Sequence, residues 1–296
     1  MIFLEETTNI DISAVISETI NSLFSTLFSS IDNSIYSILD DITFVDSTII
    51  SDGVYKSILG LSSNEGILII ANVLLFGVIL YYAISRAIAY FTGSEVQSCI
   101  PFIFRMIIFG IFMNSSYFIC EQILNLNSLF SLAIRNLGEI IFSKSICFSS
   151  LVSEINYSVS TSSFNLFSVD GIIKSFISLG LFNLIFSYSL RYILIKVFVL
   201  LSPFAILSLV HNKTKWIFSS WIRIMFSLLF LQIFISLVLL ISFSFTYSQS
   251  LLSKFMYIGC IYALIKSNSI VKDFIGGIST NVGSPISNFK SFFGGN

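Results

Sequence analysis

Thirty consecutive residues, 224–253, carry no charge. As a helix rising ~1.5 Å per residue, such a run is longer than the ~30 Å hydrocarbon core of a bilayer. A helix on the surface of a soluble protein keeps a polar face toward water, and this one has none. A short basic turn stands just before it, with His211, Lys213 and Lys215, followed by Arg223. An apolar segment interrupted by Pro203 precedes the turn. Residues 201–241 therefore read as a bent apolar segment, a basic turn and a membrane span, and the rest of the chain has to fit around them.

Charged residues make up 10% of the 296-residue chain, against about 25% in soluble domains, and the mean hydropathy is +0.92. That places the chain among all-α, polytopic membrane proteins. The charges are also segregated. Residues 1–65 hold ten acidic groups and one basic group, whereas residues 171–296 hold ten basic groups and one acidic group. Lys and Arg near the spans favour the cytoplasmic side, so the pattern predicts an N-terminus outside and a C-terminus inside the cytoplasmic membrane.

Residues 12–42 have apolar groups at steps of three and four, from Ile12 through Ile20, Leu27 and Ile35 to Ile42, with Ser, Asn, Asp and Glu opposite. This spacing predicts an amphipathic extracytoplasmic helix with Asp11 as its N-cap. Its stripe suits packing on the chain's own membrane domain and docking on neighbouring subunits equally well. Residues 43–65 read as a polar connection. An uncharged first span follows between Glu65 and Arg86. A second runs from near Pro101 to about Leu124, with Asn114, Ser115 and Ser116 turned toward another helix. Residues 149–164 read as a loop on the translocated side.

Residues 171–210 admit two readings, because 40 helical residues would span about 60 Å. One is a single span over 175–195 followed by a re-entrant or interfacial segment bent at Pro203. The other is two tightly spaced spans. The first keeps Arg191, Lys196, Lys213 and Lys215 on one side and is preferred. Trp216 and Trp221 mark the membrane interface where the next span begins. That span reaches about Thr246 with Gln232 as its one strongly polar group, and a last span covers about 250–266. The domain plan is thus residues 1–65, an extracytoplasmic helix and connection; residues 66–266, a transmembrane domain of about five helices; and residues 267–296, a flexible cytoplasmic tail rich in Gly and Ser.

The residues for several chemistries are missing from this pattern. His211 is the one histidine, so no Ser-His-Asp or Cys-His set can be assembled. There is no GxxxxGK[ST] phosphate loop, and the four cysteines form no CxxC. The spans hold almost no carboxylates, the groups that relay protons and cations across membranes. No cofactor, metal or enzymatic activity is expected. MIFLEETTNIDIS at the N-terminus has neither the basic region nor the apolar stretch of a secretory signal. The residues of interest are the cations Arg191 and Lys196. They either line a wet passage for anionic cargo or snorkel to the interface. Five residues apart on a helix, they lie about 140° from each other. Lys213, Lys215 and Arg223 are topology determinants first.

The run from Leu200 to Ile241 resembles the TrbL family, the polytopic inner-membrane subunit of conjugative type IV secretion systems. The likeness lies in Ser202-Pro203, the polar turn, Trp216, Ser220-Trp221 and the span bearing Gln232. It continues in Tyr262-Ala263-Leu264-Ile265-Lys266, Ile270 and Gly276-Gly277. About a third of the chain is covered. The resemblance implies a non-enzymatic channel subunit that helps move single-stranded DNA with its relaxase, or protein cargo, outward. It further implies several copies around an axis, and partner subunits that include the ATPases supplying energy. Residues 267–296 hold no counterpart to the long hydrophilic C-terminal extension of some members, so the functions of that extension are not expected from them. A secondary transporter for a small solute is the competing reading. It predicts paired broken helices in two repeats, and the first half holds no counterpart to the Pro203 segment.

Overall fold

The computed structural model describes residues 18–19, 22–23, 34–61, 65–93, 98–159, 169–245 and 251–276. Among them there are helices and no strand. In chain order the α-helices are α1 (Ser34–Thr43), α2 (Gly53–Leu59), α3 (Ile67–Thr92), α4 (Cys99–Asn114), α5 (Ser116–Phe142), α6 (Phe148–Val159), α7 (Val169–Leu200), α8 (Ser202–Leu207), α9 (Lys215–Phe243) and α10 (Leu251–Ile275). Single 3-10 turns occupy Ser47–Ile50 and Asn212–Thr214.

Among the described residues four helices are long and apolar enough to cross a membrane: α3, α5, α7 from Gly171, and α9 with the turn before it. The chain is therefore a membrane-embedded helical protein. Only 11% of the most apolar stretch of α3 is buried inside the protein. Its outward face carries Val73, Phe76, Leu80 and Ile84, a surface that hydrocarbon solvates and water does not.

The fold departs from the sequence expectations in four places. First, the stretch 101–124, expected to be one span, belongs to two helices. α4 ends at Asn114, and α5 starts at Ser116 after Ser115. Asn114 ends α4 instead of sitting mid-span, but it does turn toward another helix, exchanging amide hydrogen bonds with Asn72 of α3 (3.1 and 3.3 Å). That pair, with Tyr82 stacked on Phe102 at 3.8 Å, makes α3 and α4 antiparallel. Second, residues 148–159 form a helix instead of a loop. Phe148, Leu151, Val152 and Ile155 turn inward at steps of three, one and three. Third, the connection after α1 is structured. Asp46 and Asp52 cap the 3-10 turn and α2 through the N–H groups of Thr48 and Val54, and Ile49, Ile50, Tyr55 and Leu59 are buried. Fourth, α10 runs on past Lys266 to Ile275, so the last helix takes in residues placed in the tail. The amphipathic helix expected over 12–42 lies largely outside the described residues. Its end, Ser34–Thr43, is helical.

Residues 169–200 form one helix, and the break falls at Leu201, two residues before Pro203. Proline has no N–H to give the carbonyl four residues back, here Val199. The Ser202 hydroxyl takes that carbonyl instead, at 2.7 Å. Pro203 then sits in the first turn of α8, where a missing N–H costs nothing.

The core is three successive clusters, and the segment 204–243 passes through all of them. Leu231, Ile235, Leu239 and Phe243 of α9 join α1, α6, α7 and α10. Trp221, Met225, Leu228 and Leu229 join residues 45–59, α5 and the end of α7. Ile206, Leu207 and Val210 join α3 and α4. α5 packs along α9 through the hydroxyls of Ser131 and Ser236, 2.7 Å apart. A side chain on Gly138 of α5 would collide with Ile146 and Leu240.

Candidate functional site

A guanidinium in the middle of an apolar helix has to find acceptors or water. Arg191 of α7 is fully buried and finds acceptors. Its Nε donates to the carbonyl of Leu228 (2.7 Å), Nη1 to the carbonyl of Thr43 (2.9 Å) and Nη2 to Oε1 of Gln232 (3.2 Å). The same Gln232 oxygen accepts the backbone N–H of Val45 at 3.2 Å. No carboxylate of the described residues pairs with Arg191. Its charge is therefore balanced by carbonyl dipoles. One of them, Thr43, closes α1, and the last carbonyls of a helix carry the negative end of its dipole.

Thr43, Phe44 and Val45 are each gripped by a different group. The Thr43 carbonyl and Val45 N–H are backbone groups left over where α1 stops, and Arg191 and Gln232 satisfy them. Between them, the Phe44 ring lies under the guanidinium of Arg135, 4.1 Å from the ring centroid. Arg135 in turn donates through Nε to the carbonyl of Ile146 (2.9 Å), in the link between α5 and α6. One turn earlier, Asp40 accepts from the N–H groups of Phe148 (2.7 Å) and Ser149 (3.2 Å) and from the Ser149 hydroxyl (2.7 Å). That carboxylate caps α6 from 108 residues away in sequence. Residues 40–45 are thus clamped to α5, α6, α7 and α9 by Asp40, Arg135, Arg191 and Gln232.

No family model, curated protein sequence or solved structure matches this chain. The site must be read from its geometry. Arg191 exposes no surface, so in this conformation it neither lines a wet passage nor snorkels. Lys196 is half-buried on another face of α7. Its ammonium stands 5.2 Å from the Tyr192 ring centroid, and its backbone carbonyl accepts the Tyr55 hydroxyl at 2.8 Å. Burial pushes the Tyr55 phenol well above its ordinary value, so it remains a neutral donor to that carbonyl.

The other sequence candidates lie apart from the clamp. Lys213 and Lys215 are exposed in and after the 211–214 turn, and Arg223 is exposed on α9. The turn is held from α4 by Arg105, whose Nη1 donates to Asn212 (3.0 Å). Trp216 is exposed. Trp221 points inward, stacks on Phe218 and donates through Nε1 to the carbonyl of Phe198 at 2.8 Å. It ties α9 to the end of α7, next to the Pro203 break. Among the described residues no three His, Cys, Asp or Glu converge as metal ligands would.

Thr43, Val45, Asp40 and Arg135 had no signal in the local sequence. Arg191 and Gln232 did: each is a lone strongly polar group in a long apolar run, a position that demands a partner.

Proposed function

We propose that the chain is a non-enzymatic, membrane-embedded subunit of a conjugative type IV secretion channel of the TrbL kind. It would act in the cytoplasmic membrane, assembled in several copies with partner subunits that include ATPases, and would help pass single-stranded DNA with its relaxase, or protein cargo, outward. Support comes from residues 200–241. Their order of Ser-Pro break, polar turn, Ser-Trp and Gln-bearing span is the one that resembles the family, and three of these parts are tied to α7. Ser202 completes the break, Trp221 reaches back to Phe198, and Gln232 joins Arg191.

The clamp at residues 40–45 adds a mechanical argument. A channel subunit that reaches its neighbours with an N-terminal helix must hold the base of that helix firmly. Four polar side chains do so here. In this proposal the N-terminal helix expected over residues 12–42 docks on neighbouring subunits outside the membrane, about five helices cross it, and the 211–215 turn faces the cytoplasm with the C-terminus.

In-frame deletion in donor cells, with complementation by the intact chain, tests the function. Loss of DNA transfer, together with cross-links between transferring DNA and this protein, is the expected result. Unchanged transfer removes the secretion reading. Reporters inserted near Asn156, Asn212 and Pro285 test the topology, and a translocated reporter at Asn212 overturns it.

A further inference from the structure

A groove of about 590 Å³ runs between α3, α8 and the start of α9, and its chemistry changes from one end to the other. Most of its wall is apolar, with Gly77 and Tyr81 from α3 facing Phe204 and Leu207 from α8. One end is closed by the 211–214 turn, with His211 and Lys213. The volume lies within the range of small-molecule sites, about 300–1,000 Å³.

Three observations identify an occupant. The groove opens onto the outward apolar face of α3, which hydrocarbon covers, so an acyl chain is the material already at its mouth. The closed end concentrates positive charge. Lys213 lines that end; Lys215, just after the turn, and Arg105, held against Asn212, stand beside it without lining it, and no carboxylate of the described residues pairs with any of the three. The turn also fixes a donor. Nδ1 of His211 accepts the N–H of Lys213 at 3.2 Å, so the proton of the neutral ring resides on Nε2. His211 is held in place as well, edge-on to Tyr81 with centroids 6.2 Å apart.

We infer that this groove binds one anionic phospholipid, its acyl chain between α3 and α8 and its phosphate on Lys213 and Nε2–H of His211. A zwitterionic lipid offers the same phosphate but adds an ammonium that the cations repel, so it gains less from that end; a free phosphate gains the cations but leaves the walls empty. The site depends on the membrane-embedded fold alone and stands whether or not the secretion reading does.

Native mass spectrometry of the full-length protein in mild detergent tests it, with titrations of dioleoylphosphatidylglycerol, dioleoylphosphatidylcholine and inorganic phosphate. The phosphatidylglycerol adduct should be retained in preference to the other two. Lys213→Gln should weaken it about fivefold, the worth of one cation near an anionic headgroup, and weaken phosphatidylcholine less. Gly77→Phe is the second variant. A Cβ at Gly77 meets nothing within 4 Å, so the backbone tolerates the change while the ring fills the groove. It should remove the phosphatidylglycerol adduct without lowering the unfolding temperature. Equal retention of the two lipids by the unaltered protein overturns the inference. So does undiminished phosphatidylglycerol retention by the Gly77→Phe protein, or phosphate retention equal to that of the lipid. A dimer that the Gly77→Phe change dissociates also overturns it, since the groove would then be a seam between two copies.

Discussion

Nη2 of Arg191 lies 3.2 Å from the amide oxygen of Gln232, and that oxygen also holds the N–H of Val45. A side-chain pair between α7 and α9 therefore fixes the backbone of a third segment. Burying a guanidinium costs several kcal/mol unless its donors are met. Here Leu228, Thr43 and Gln232 meet three of the five with oxygens alone, so the charge stays uncompensated by any described carboxylate and depends on geometry. Arg191→Met should lower stability by about 3 kcal/mol, because it strands the Thr43 carbonyl and removes the positive partner of the α1 terminus. Arg191→Lys should fall between, since an ammonium lacks the planar fork that reaches three acceptors. Thermal unfolding in detergent measures both. An Arg191→Met protein as stable as the original would show that the clamp does not hold the fold.

The coupling between the two residues is separately measurable. Gln232→Leu removes one oxygen but leaves two buried N–H donors without it, one from Arg191 and one from Val45. In the double variant Arg191→Met, Gln232→Leu, only the Val45 donor and the Thr43 carbonyl suffer. The double change should be less damaging than the sum of the single ones by about 0.5–3 kcal/mol. Strict additivity would mean that the pair does not interact.

Asp40 separates a hydrogen-bonding role from a charge role. It accepts two backbone N–H groups at the start of α6 and one serine hydroxyl. Asp40→Ala should cost about 1–2 kcal/mol, as loss of an N-cap does, and should speed amide hydrogen exchange at residues 148–152. Asp40→Asn should retain most of the protection, because Asn and Asp rank together as caps. Equal exchange in all three proteins would exclude Asp40 as the cap of α6.

These contacts show where sequence reasoning reached and where it stopped. The spans around α3 and α9 were legible because a bilayer demands long uncharged runs, and such runs announce themselves. The isolation of Arg191 and Gln232 in those runs was legible for the same reason. The break between α4 and α5 was not, because Asn114-Ser115-Ser116 reads equally well as interhelical packing; Asn72, 42 residues earlier, is what receives Asn114. Helix α6 was hidden because its cap comes from Asp40 and its first residues include Ser149 and Ser150, which locally favour a loop. Trp221 was read from the habit of indoles to sit at interfaces, whereas a carbonyl at the end of α7 turned it inward. In each case the missing partner was distant in the chain.

The break before Pro203 is the last relationship open to a direct test. Two residues act on one carbonyl: Pro203 withholds the N–H that Val199 would receive in a continuous helix, and the Ser202 hydroxyl replaces it. Pro203→Ala restores an N–H at that position and should let α7 run on into α8. Eleven residues of uninterrupted helix span about 16 Å, so spin labels at the exposed Ile193 of α7 and the half-buried Phe204 of α8 should separate toward that distance as the break straightens. Replacing the four cysteines, Cys99, Cys120, Cys147 and Cys260, with Ala makes room for the labels. Ser202→Ala should behave differently, costing about 1 kcal/mol of stability while leaving the label distance unchanged, because Pro203 still withholds its N–H. If Pro203→Ala keeps the original distance, the bend is imposed by the packing of Ile206, Leu207 and Val210 against α3 and α4, with the proline merely fitting it.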